Sequence, residues 1–312
     1  MIKSRGRTYG KVTIYKQRVG DWGRPWTDAF AEGLRKHGVQ TEITNTSPEK
    51  VSHSDLHVFW GMRQTKIIEH CRKFGQPFIG LDHGYTADRL DLASINLNHL
   101  NGNSQLDVSS WTNDNSRCKS HGWEIKEPSH KLGDKIIIVG QIYNDMSLQG
   151  TDIYAWAKMR AAGLEVAGHR GDIFFKPHPK EKPEATDRKY NVGVPVFEGS
   201  MEDAFKIARL FCTYSSTVGT DAWLRGLPAV AASPVSMIFR EQFNENTPDN
   251  RQKWLNGMSF RQFDLTEIGN GLVWELHKDT ILEKAPGEIP TMSLVDRPEI
   301  GMGVVNFDGL AT

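Results

Sequence analysis

Residues 210–225 read LFCTYSSTVGTDAWLR, and this stretch decides the fold class. The apolar run Leu210–Thr213 has the composition of a buried strand, and the helical segment Thr217–Arg225 follows it after a short polar loop. Pro228–Ala231 is a second apolar run. A strand, a helix and another strand in this order form a βαβ unit, which predicts a parallel sheet covered by helices.

The same alternation continues on both sides of this stretch. We predict strands at Lys11–Tyr15, Val39–Ile43, Asp55–Trp60, Pro77–Leu81, Lys135–Val139, Asp172–Lys176 and Val194–Phe197. We predict helices at Trp26–His37, Thr65–Phe74, Tyr154–Ala162 and Met201–Arg209. Periodicity fades in residues 91–128, where we expect a long irregular segment with a functional role. Residues 251–277 are predicted as helices.

This pattern predicts an α/β protein with two Rossmann-like halves joined near residues 128–134. We expect one Rossmann-like domain over residues 1–130 and a second over 131–250. Residues 251–312 are expected to form C-terminal helices and a tail that pack back on the N-terminal domain.

Composition narrows the class of protein. The 312 residues include 38 Lys and Arg against 38 Asp and Glu, so the formal net charge is zero. A charged fraction of 24% with 38% hydrophobic residues is typical of a globular protein and excludes collagen-like, coiled-coil and disordered chains. Neutrality excludes a protein that coats nucleic acid through many phosphate contacts, but it leaves a DNA-modifying enzyme open.

Cysteine usage and apolar patterns indicate the expected compartment. The three cysteines, Cys71, Cys118 and Cys212, are far apart, and no pair has the spacing of a zinc site or a disulfide framework. The sequence contains no apolar run of 18 or more residues, and its first residues include no apolar signal region. We therefore expect a cytoplasmic protein without a membrane partner.

The segment Phe174–Lys180, FFKPHPK, ends a predicted strand with a histidine between two prolines. The prolines restrict the backbone and leave His178 at the carboxyl end of the strand, where ligands of open α/β sheets bind. Lys176 and Lys180 add donors suited to a phosphate. The alternative is a rigid loop that carries a surface histidine.

Three hydroxyl residues, Ser215, Ser216 and Thr217, open the helix after strand 210–213. They can cap the first turn of that helix, or they can bind a phosphate together with its N–H groups. The histidine at a nearby strand end favours a phosphate or pyrophosphate site.

These elements resemble the donor-binding half of GT-B glycosyltransferases, in the branch that includes capsule-polysaccharide enzymes and bacterial sialyl- and polysialyltransferases. The His-Pro pair, the Ser-Ser-Thr loop and Trp223–Pro228 (WLRGLP) carry the resemblance. It implies a GT-B fold with two Rossmann-like domains facing across a cleft, an N-terminal acceptor domain over residues 1–130 and a nucleotide-sugar domain over 131–250. The acidic-Gly motif of the family corresponds here to Leu81–Tyr85 (LDHGY), in which His83 replaces the usual second acidic residue.

A narrower resemblance covers roughly residues 58–275. Its segments are Trp60–Arg63, Asp82–Arg89, Asn98–Gly102, Val139–Gln141 and Trp254–Trp274. They recur in this order in glycosyltransferases of tailed phages, which are similar to enzymes associated with modified pyrimidines in phage DNA. The resemblance implies a 5-hydroxymethyl-type pyrimidine base of double-stranded DNA as the acceptor and, if a phage encodes the protein, the host cytoplasm as its location.

The resemblance also implies roles for individual residues. Asp82 would be the general base, and His178 would assist the leaving phosphate. The implied donor-binding residues are Gly140, Gln141, Lys176, His178, Ser215, Ser216, Thr217 and Asp221, where Asp221 is shorter than the glutamate often found at that ribose-binding position. The implied acceptor-binding residues are Arg63, His83, Tyr85, Asp88 and Arg89. For Asp88 and Arg89 a structural ion pair is the alternative.

The expected reaction is inverting sugar transfer from a nucleotide sugar, UDP- or CMP-linked, without a further cofactor. No acidic pair of the DxD type occupies a suitable loop, so we expect no metal and assign the phosphate charge to cationic side chains and helix N-termini. Two alternatives remain open. One is transfer to a surface polysaccharide, and the other is a non-catalytic nucleotide-binding protein of the same fold. The sequence does not indicate the oligomeric state.

Two further features have open interpretations. Trp22, Trp26, Trp111 and Trp123 lie in Gly-rich or polar surroundings, which suits stacking on a flipped base, but tryptophans also fill cores. A basic cluster near the N-terminus can contact a DNA backbone or be solvated. It consists of Lys3, Arg5, Arg7, Lys11, Lys16 and Arg18.

Overall fold

The computed structural model describes residues 2–4, 7–16, 23–51, 54–86, 88–127, 133–169, 172–181, 183–243 and 247–283. The predictions for Arg5, Arg18, Trp22 and the tail after residue 283 lie outside these ranges. The described residues divide into two compact units. Unit 1 contains those of Met1–Glu124 and Asp249–Ile289, and unit 2 contains those of Ile125–Pro248.

Unit 1 is built on a six-stranded sheet in the order β12-β7-β6-β5-β3-β4. Strands β3 to β6 are parallel. Strand β7 runs antiparallel to them, and β12, which pairs antiparallel with β7, has the same direction as β6. Its strands are β3 Val12–Tyr15, β4 Thr41–Thr44, β5 Leu56–Trp60, β6 Phe78–His83, β7 Leu92–Leu97 and β12 Gln262–Asp264. Strands β1 Ile2–Ser4 and β2 Arg7–Tyr9 form a separate hairpin. Its helices are α1 Arg24–Lys36, α2 Thr65–Phe74, α3 Ser116–His121, α7 Pro248–Ser259, α8 Leu265–Gly269 and α9 Leu272–Glu283.

Unit 2 is built on a four-stranded parallel sheet in the order β11-β10-β8-β9. Its strands are β8 Lys135–Val139, β9 Ile173–Lys176, β10 Ala208–Thr213 and β11 Ala229–Ala231, and its helices are α4 Ile153–Val166, α5 Met201–Ile207 and α6 Val218–Leu224. The chain goes from β8 to β9 on one side and then to β10 on the other, so the topological switch point lies between β8 and β10. The α/β prediction, with a Rossmann-like sheet in each half, is confirmed.

The buried strands follow from their apolar runs. All four residues of β3 are buried, as are four of the five residues of β8, because both strands have neighbours on two sides and helices over the sheet. Helix α1 places Trp26, Phe30 and Leu34 on its buried face, at the spacing that one side of a helix requires. These contacts form the core of unit 1.

The prediction of an irregular segment over residues 91–128 needs correction. Its first part is β7, whose six residues are all buried and which pairs antiparallel with β6. Ser94 and Asn96 interrupt the apolar pattern of this strand, and the structure satisfies them with each other, since Asn96 Nδ2 donates to Ser94 Oγ at 3.0 Å. A buried strand with paired polar residues has no periodicity by which a single sequence reveals it.

Two smaller predictions also need correction. Residues 251–277 contain the three-residue strand β12 between helices α7 and α8, and it pairs with β7. The predicted strand Val194–Phe197 is reduced to a single bridge between Phe175 and Val196. Both segments are too short for a pattern in the sequence to decide, so the neighbouring strand decides them.

His277 of α9 is buried in an aromatic cluster of unit 1. Its Nε2 lies 2.7 Å from the carbonyl oxygen of Phe260, and its ring lies edge-on to Trp111 with centroids 5.0 Å apart. Among the described residues its Nδ1 has no hydrogen-bond partner. Burial lowers the pKa of His277 to about 4, so the ring is neutral in the folded protein at neutral pH.

We expect this histidine to make folding stability sensitive to acid. Below about pH 6.5 the unfolded chain takes up a proton that the folded ring excludes, so stability falls as the pH drops from 6.5 towards 4, by about 3 kcal/mol in all. Urea unfolding at pH 7 and pH 4.5 measures this loss. In His277→Gln, which keeps a donor for Phe260, the loss should be smaller, and an equal loss in both proteins would contradict the assignment.

Candidate functional site

In unit 1, the carboxyl ends of β5 and β6 lie side by side. The N–H of Gly61, just after β5, donates to the carbonyl of Leu81 at 2.7 Å. Asp82 and His83 complete β6 at the same edge, and both are half-buried. Ligands of open α/β sheets bind at this edge, so unit 1 has a carboxylate and an imidazole at the expected position.

Asp82 and His83 are held by local contacts. Asp82 Oδ1 accepts the N–H of His83 at 2.8 Å, and its carbonyl accepts the Ser94 hydroxyl at 3.3 Å. The His83 ring lies edge-on to Trp60, with centroids 5.4 Å apart, and Trp60 stacks on Trp26 at 6.0 Å. These contacts limit the rotation of both side chains, which is the preorganisation that proton transfer needs.

The turn after β6 is tightly closed. The N–H of Gly84 donates to the carbonyls of Arg89 and Leu92, both at 3.0 Å, and the Thr86 hydroxyl donates to Asp88. A Cβ on Gly84 would lie 2.7 Å from the Leu92 Cβ, so this position requires glycine. Asp88 and Arg89 are exposed on the turn, at the edge where Asp82 ends its strand.

Other predicted acceptor residues have different environments. Tyr85 is only 2% exposed, its N–H donates to Gln262 Oε1 at 2.8 Å, and its hydroxyl donates to Asn96 at 3.4 Å. Burial raises the pKa of Tyr85 to about 12. The structure therefore places Tyr85 in the core as an anchor of the turn. Arg63, by contrast, is exposed in the loop between β5 and α2.

The segment Asn98–Gly102 lies at the opposite edge of the sheet. Because β7 is antiparallel, its end meets the start of β6, where Asn98 Oδ1 accepts the N–H of Phe78 at 2.9 Å. Asn98 and Asn101 both have positive φ, which asparagine tolerates better than most residues. This motif of the narrower resemblance forms a turn at the edge away from Asp82.

In unit 2, the His-Pro loop follows β9. The N–H of Lys180 donates to His178 Nδ1 at 3.0 Å, so neutral His178 carries its proton on Nε2 and can donate it to an anion. Lys176 ends β9 and is half-buried, with Nζ 5.9 Å from the Phe197 ring centroid. Burial is the main cause that lowers the pKa of Lys176. The negative charge of Glu198 acts to raise it, and the positive charge of Lys189 lowers it further.

Strand ends of unit 2 are tied to one another at this edge. The N–H of Gly140 donates to the carbonyl of Lys176 at 2.8 Å, which joins the ends of β8 and β9. Gln141 Oε1 accepts the N–H of Ser215 at 2.9 Å, which joins β8 to β10 across the switch point. The structure thus brings Gly140, Gln141, Lys176 and Ser215 to a single edge.

The hydroxyl residues of the Ser-Ser-Thr loop differ in their contacts. Ser215 is buried, whereas Ser216 and Thr217 are half-buried. Ser216 Oγ accepts the N–H of Val218, the first residue of α6, at 3.3 Å. Asp221 lies in the first turn of α6, as the sequence predicts. Sequence reasoning missed Asp145 and Ser147 as parts of the edge in unit 2, although both lie in the segment between β8 and α4.

A group of three potential metal ligands occurs among the described residues. His121, Asp264 and Glu267 have ligand atoms within 4.8 Å of one another. However, Arg117 Nη1 lies 2.6 Å from Glu267 Oε1, where a cation would bind. Asp264 and Glu267 also accept each other's N–H groups as a capping box at the start of α8. Burial acts to raise the pKa of Glu267, but Arg117, the N–H of Asp264 and His121 together outweigh it, and the net pKa is lowered. This group is explained by helix capping and an ion pair.

Comparisons with known proteins give likenesses at the level of structure. No protein-family model matches the chain. No curated protein matches it. Among solved structures it is similar to KpsC of Thermosulfurimonas dismutans, a beta Kdo 2,7 transferase, with a TM-score of 0.46 and 12% identity over 84% of this chain and 98% of that one. It is also similar to a UDP-N-acetylglucosamine 2-epimerase of Listeria monocytogenes, with a TM-score of 0.26 and 11% identity over 90% and 99% of the two chains.

The fold class therefore rests on the two sheets themselves. Within the described part of the chain, no helix has both the length and the apolar character needed to cross a bilayer.

Proposed function

We propose that this protein is a glycosyltransferase that uses a nucleotide sugar. The observation that carries the proposal is the complementary chemistry at the carboxyl edges of the two sheets. Unit 2 has His178 with an Nε2 proton, Lys176 and a hydroxyl loop, which suit a phosphate. Unit 1 has the carboxylate of Asp82, which suits a general base.

The reaction follows from these roles. Asp82 accepts the proton of the acceptor hydroxyl while that oxygen bonds to the anomeric carbon of the sugar. The bond from this carbon to the phosphate oxygen breaks, and its electron pair remains with the nucleotide. His178 Nε2–H and the Lys176 ammonium stabilise the negative charge that develops on the leaving phosphate. Attack opposite to the leaving group inverts the anomeric centre.

For the acceptor, we propose a 5-hydroxymethyl-type pyrimidine in double-stranded DNA. The segments shared with tailed-phage glycosyltransferases support this choice. Arg89 is exposed on the turn that follows the strand of Asp82, so it adds a positive charge to this part of unit 1. A brief encounter with DNA is compatible with a net charge of zero, because an enzyme that must release its product gains little from a strongly basic surface.

Mass spectrometry of modified nucleosides tests the function. The protein is incubated with hydroxymethylated or plain duplex DNA and a panel of UDP- and CMP-linked sugars, and the DNA is digested to nucleosides. We expect a hexose-sized or similar mass shift on hydroxymethylated bases alone, and we expect it to persist in a chelator. Transfer to polysaccharide but to no DNA would reassign the acceptor. Binding of a nucleotide without any transfer would indicate a non-catalytic protein.

A further inference from the structure

We propose that Gln141 is a positioning residue that fixes the Ser215–Ser216 loop for an anionic phosphate group, and that it does not bind the donor itself. The inference rests on the proposed function, in which this edge of unit 2 binds the donor phosphate. In this inference Ser215 has a structural role, and Ser216 is the serine that contacts the ligand. Four residues form what we call the Gln141 network: Gln141, Asp145, Ser147 and Ser215.

The hydrogen bonds of the Gln141 network have a defined direction. Gln141 Oε1 accepts the N–H of Ser215 at 2.9 Å, while its Nε2 donates to Ser215 Oγ at 3.1 Å and to Ser147 Oγ at 3.0 Å. Ser147 Oγ in turn donates to the carboxylate of Asp145 at 2.7 Å. The chain of donors therefore ends on a negative charge, which strengthens each bond before it.

This arrangement allows only one orientation of the Gln141 amide. A flipped amide would place its NH₂ group against the Ser215 N–H, donor against donor. A carboxylate at this position would satisfy fewer groups, because Ser147 Oγ already donates to Asp145. The single proton of Ser215 Oγ is already shared between the carbonyl of Ser147 at 3.0 Å and Gln141 Oε1 at 3.3 Å. Neither hydroxyl has a second proton to give. A glutamine amide thus satisfies more of the network than a carboxylate does.

The network occupies the donors and acceptors of Ser215. Its N–H and Oγ are both engaged, and only 7% of the residue is exposed. Ser216 is half-buried and makes a longer contact of 3.3 Å to the N–H of Val218. Of the two serines, Ser216 therefore has the hydroxyl that is suited to contact a ligand.

The position of the network explains why such a residue is needed. Ligands bind at the topological switch point, where neighbouring strands lead to helices on opposite faces and leave a crevice between their loops. Here the loops after β8 and β10 leave that crevice, and Gln141 joins them over a separation of 74 residues along the chain. Without this link the Ser216 loop loses its fixed distance from Gly140 and the strand ends.

Calorimetric titration with pyrophosphate tests the inference without a known donor. We expect Gln141→Ala to weaken pyrophosphate binding about tenfold, the effect of losing one well-placed hydrogen-bonding contact. Gln242→Ala is the matched control, because Gln242 also holds a loop by pairing with the N–H and carbonyl of Ala231, at 2.7 and 2.9 Å, but does so at the outer strand β11. This control should bind pyrophosphate as the unaltered protein does.

A double-substitution cycle separates positioning from general loss of stability. Ser216→Ala should weaken binding by itself, and adding Gln141→Ala to it should cost much less than Gln141→Ala alone, because the network acts through Ser216. Ser147→Ala, a milder change in the same network, should give a smaller effect in the same direction if Gln141→Ala folds poorly. Additive effects of Gln141 and Ser216 would overturn the inference.

The remaining outcomes are also decisive. Unchanged pyrophosphate binding in Gln141→Ala, or no pyrophosphate binding by the unaltered protein, would overturn the positioning role. If pyrophosphate binds and Gln141→Ala weakens that binding, but no sugar is transferred, the proposed function alone is overturned. The two proposals therefore fail in different ways.

Discussion

Replacing Asp82 by asparagine is expected to lower the rate of sugar transfer by about 10²–10⁴-fold. Asparagine keeps the shape of the side chain and an oxygen that can accept the His83 N–H, as Asp82 Oδ1 does at 2.8 Å. It removes the ability to take up the proton of the acceptor hydroxyl. The loss should therefore appear in kcat, measured by the release of nucleotide with hydroxymethylated DNA as acceptor.

Binding of the nucleotide distinguishes the role of Asp82 from a loss of fold. Pyrophosphate or UDP should bind to Asp82→Asn as tightly as to the unaltered protein, because the proposed phosphate site lies in unit 2. Asp91→Asn is the matched control, since Asp91 is an exposed carboxylate on the same turn and its N–H donates to the carbonyl of Asp88 at 2.8 Å. Full activity of Asp82→Asn would rule out a general-base role.

Replacing Arg117 by alanine is expected to lower the free energy of unfolding by about 3–5 kcal/mol. Arg117 donates to both carboxylate oxygens of Glu267, at 2.6 and 2.9 Å, and to the carbonyls of Ser259 and Gln262, each at 3.0 Å. Its guanidinium carbon also lies 4.5 Å from the ring centroid of Phe263. The substitution leaves a partly buried carboxylate and two carbonyls without these donors.

Burial is the reason for so large an effect, and a surface arginine provides the comparison. The side chains of Arg117 and Glu267 are 9% and 19% exposed, against 37% and 62% for Arg225 and Glu202. Arg225 also pairs with both carboxylate oxygens and lies over an aromatic ring, that of Phe205 at 4.3 Å. Arg225→Ala should cost less than about 1 kcal/mol, because water screens an exposed pair.

Urea unfolding followed by tryptophan fluorescence measures both substitutions. Arg117→Lys should restore little of the lost stability, since an ammonium cannot bind the carboxylate and the two carbonyls in the planar geometry of a guanidinium. Equal, small losses for Arg117→Ala and Arg225→Ala would show that the buried pair does not anchor α3 to the segment from α7 to α8.

Much of the edge chemistry in both units could be predicted from the sequence. The continuous apolar runs of β8 and β10 identify buried strands, and the polar residues that follow a parallel strand must lie at its carboxyl edge. This reasoning placed His178 and Ser216 at the same edge, and it placed Asp82 at the edge of unit 1. Their assignment to catalysis or binding remains a prediction.

The sequence does not predict which residues of one polar motif are buried and which are exposed. Tyr85 follows Gly84 in a polar motif and was predicted to contact the acceptor, yet it is buried against Gln262, which is 177 residues away. For Trp60 the sequence predicts the end of a strand and the start of a shared segment, but not the contacts of its ring with Trp26 and His83. No local pattern reports such contacts.

The sequence by itself determined the order of most strands and helices, because most strands have an apolar run and most helices an apolar face at its own period. Strands β7 and β12 are the exceptions. Only the tertiary structure decided which polar residues are enclosed and which remain available to a ligand. Ser215 and Ser216 are adjacent and chemically identical, but Gln141 pairs with Ser215 alone. The physical reason is that a buried polar group must find its hydrogen-bond partner, and that partner lies on a distant segment which only the folded sheet brings near.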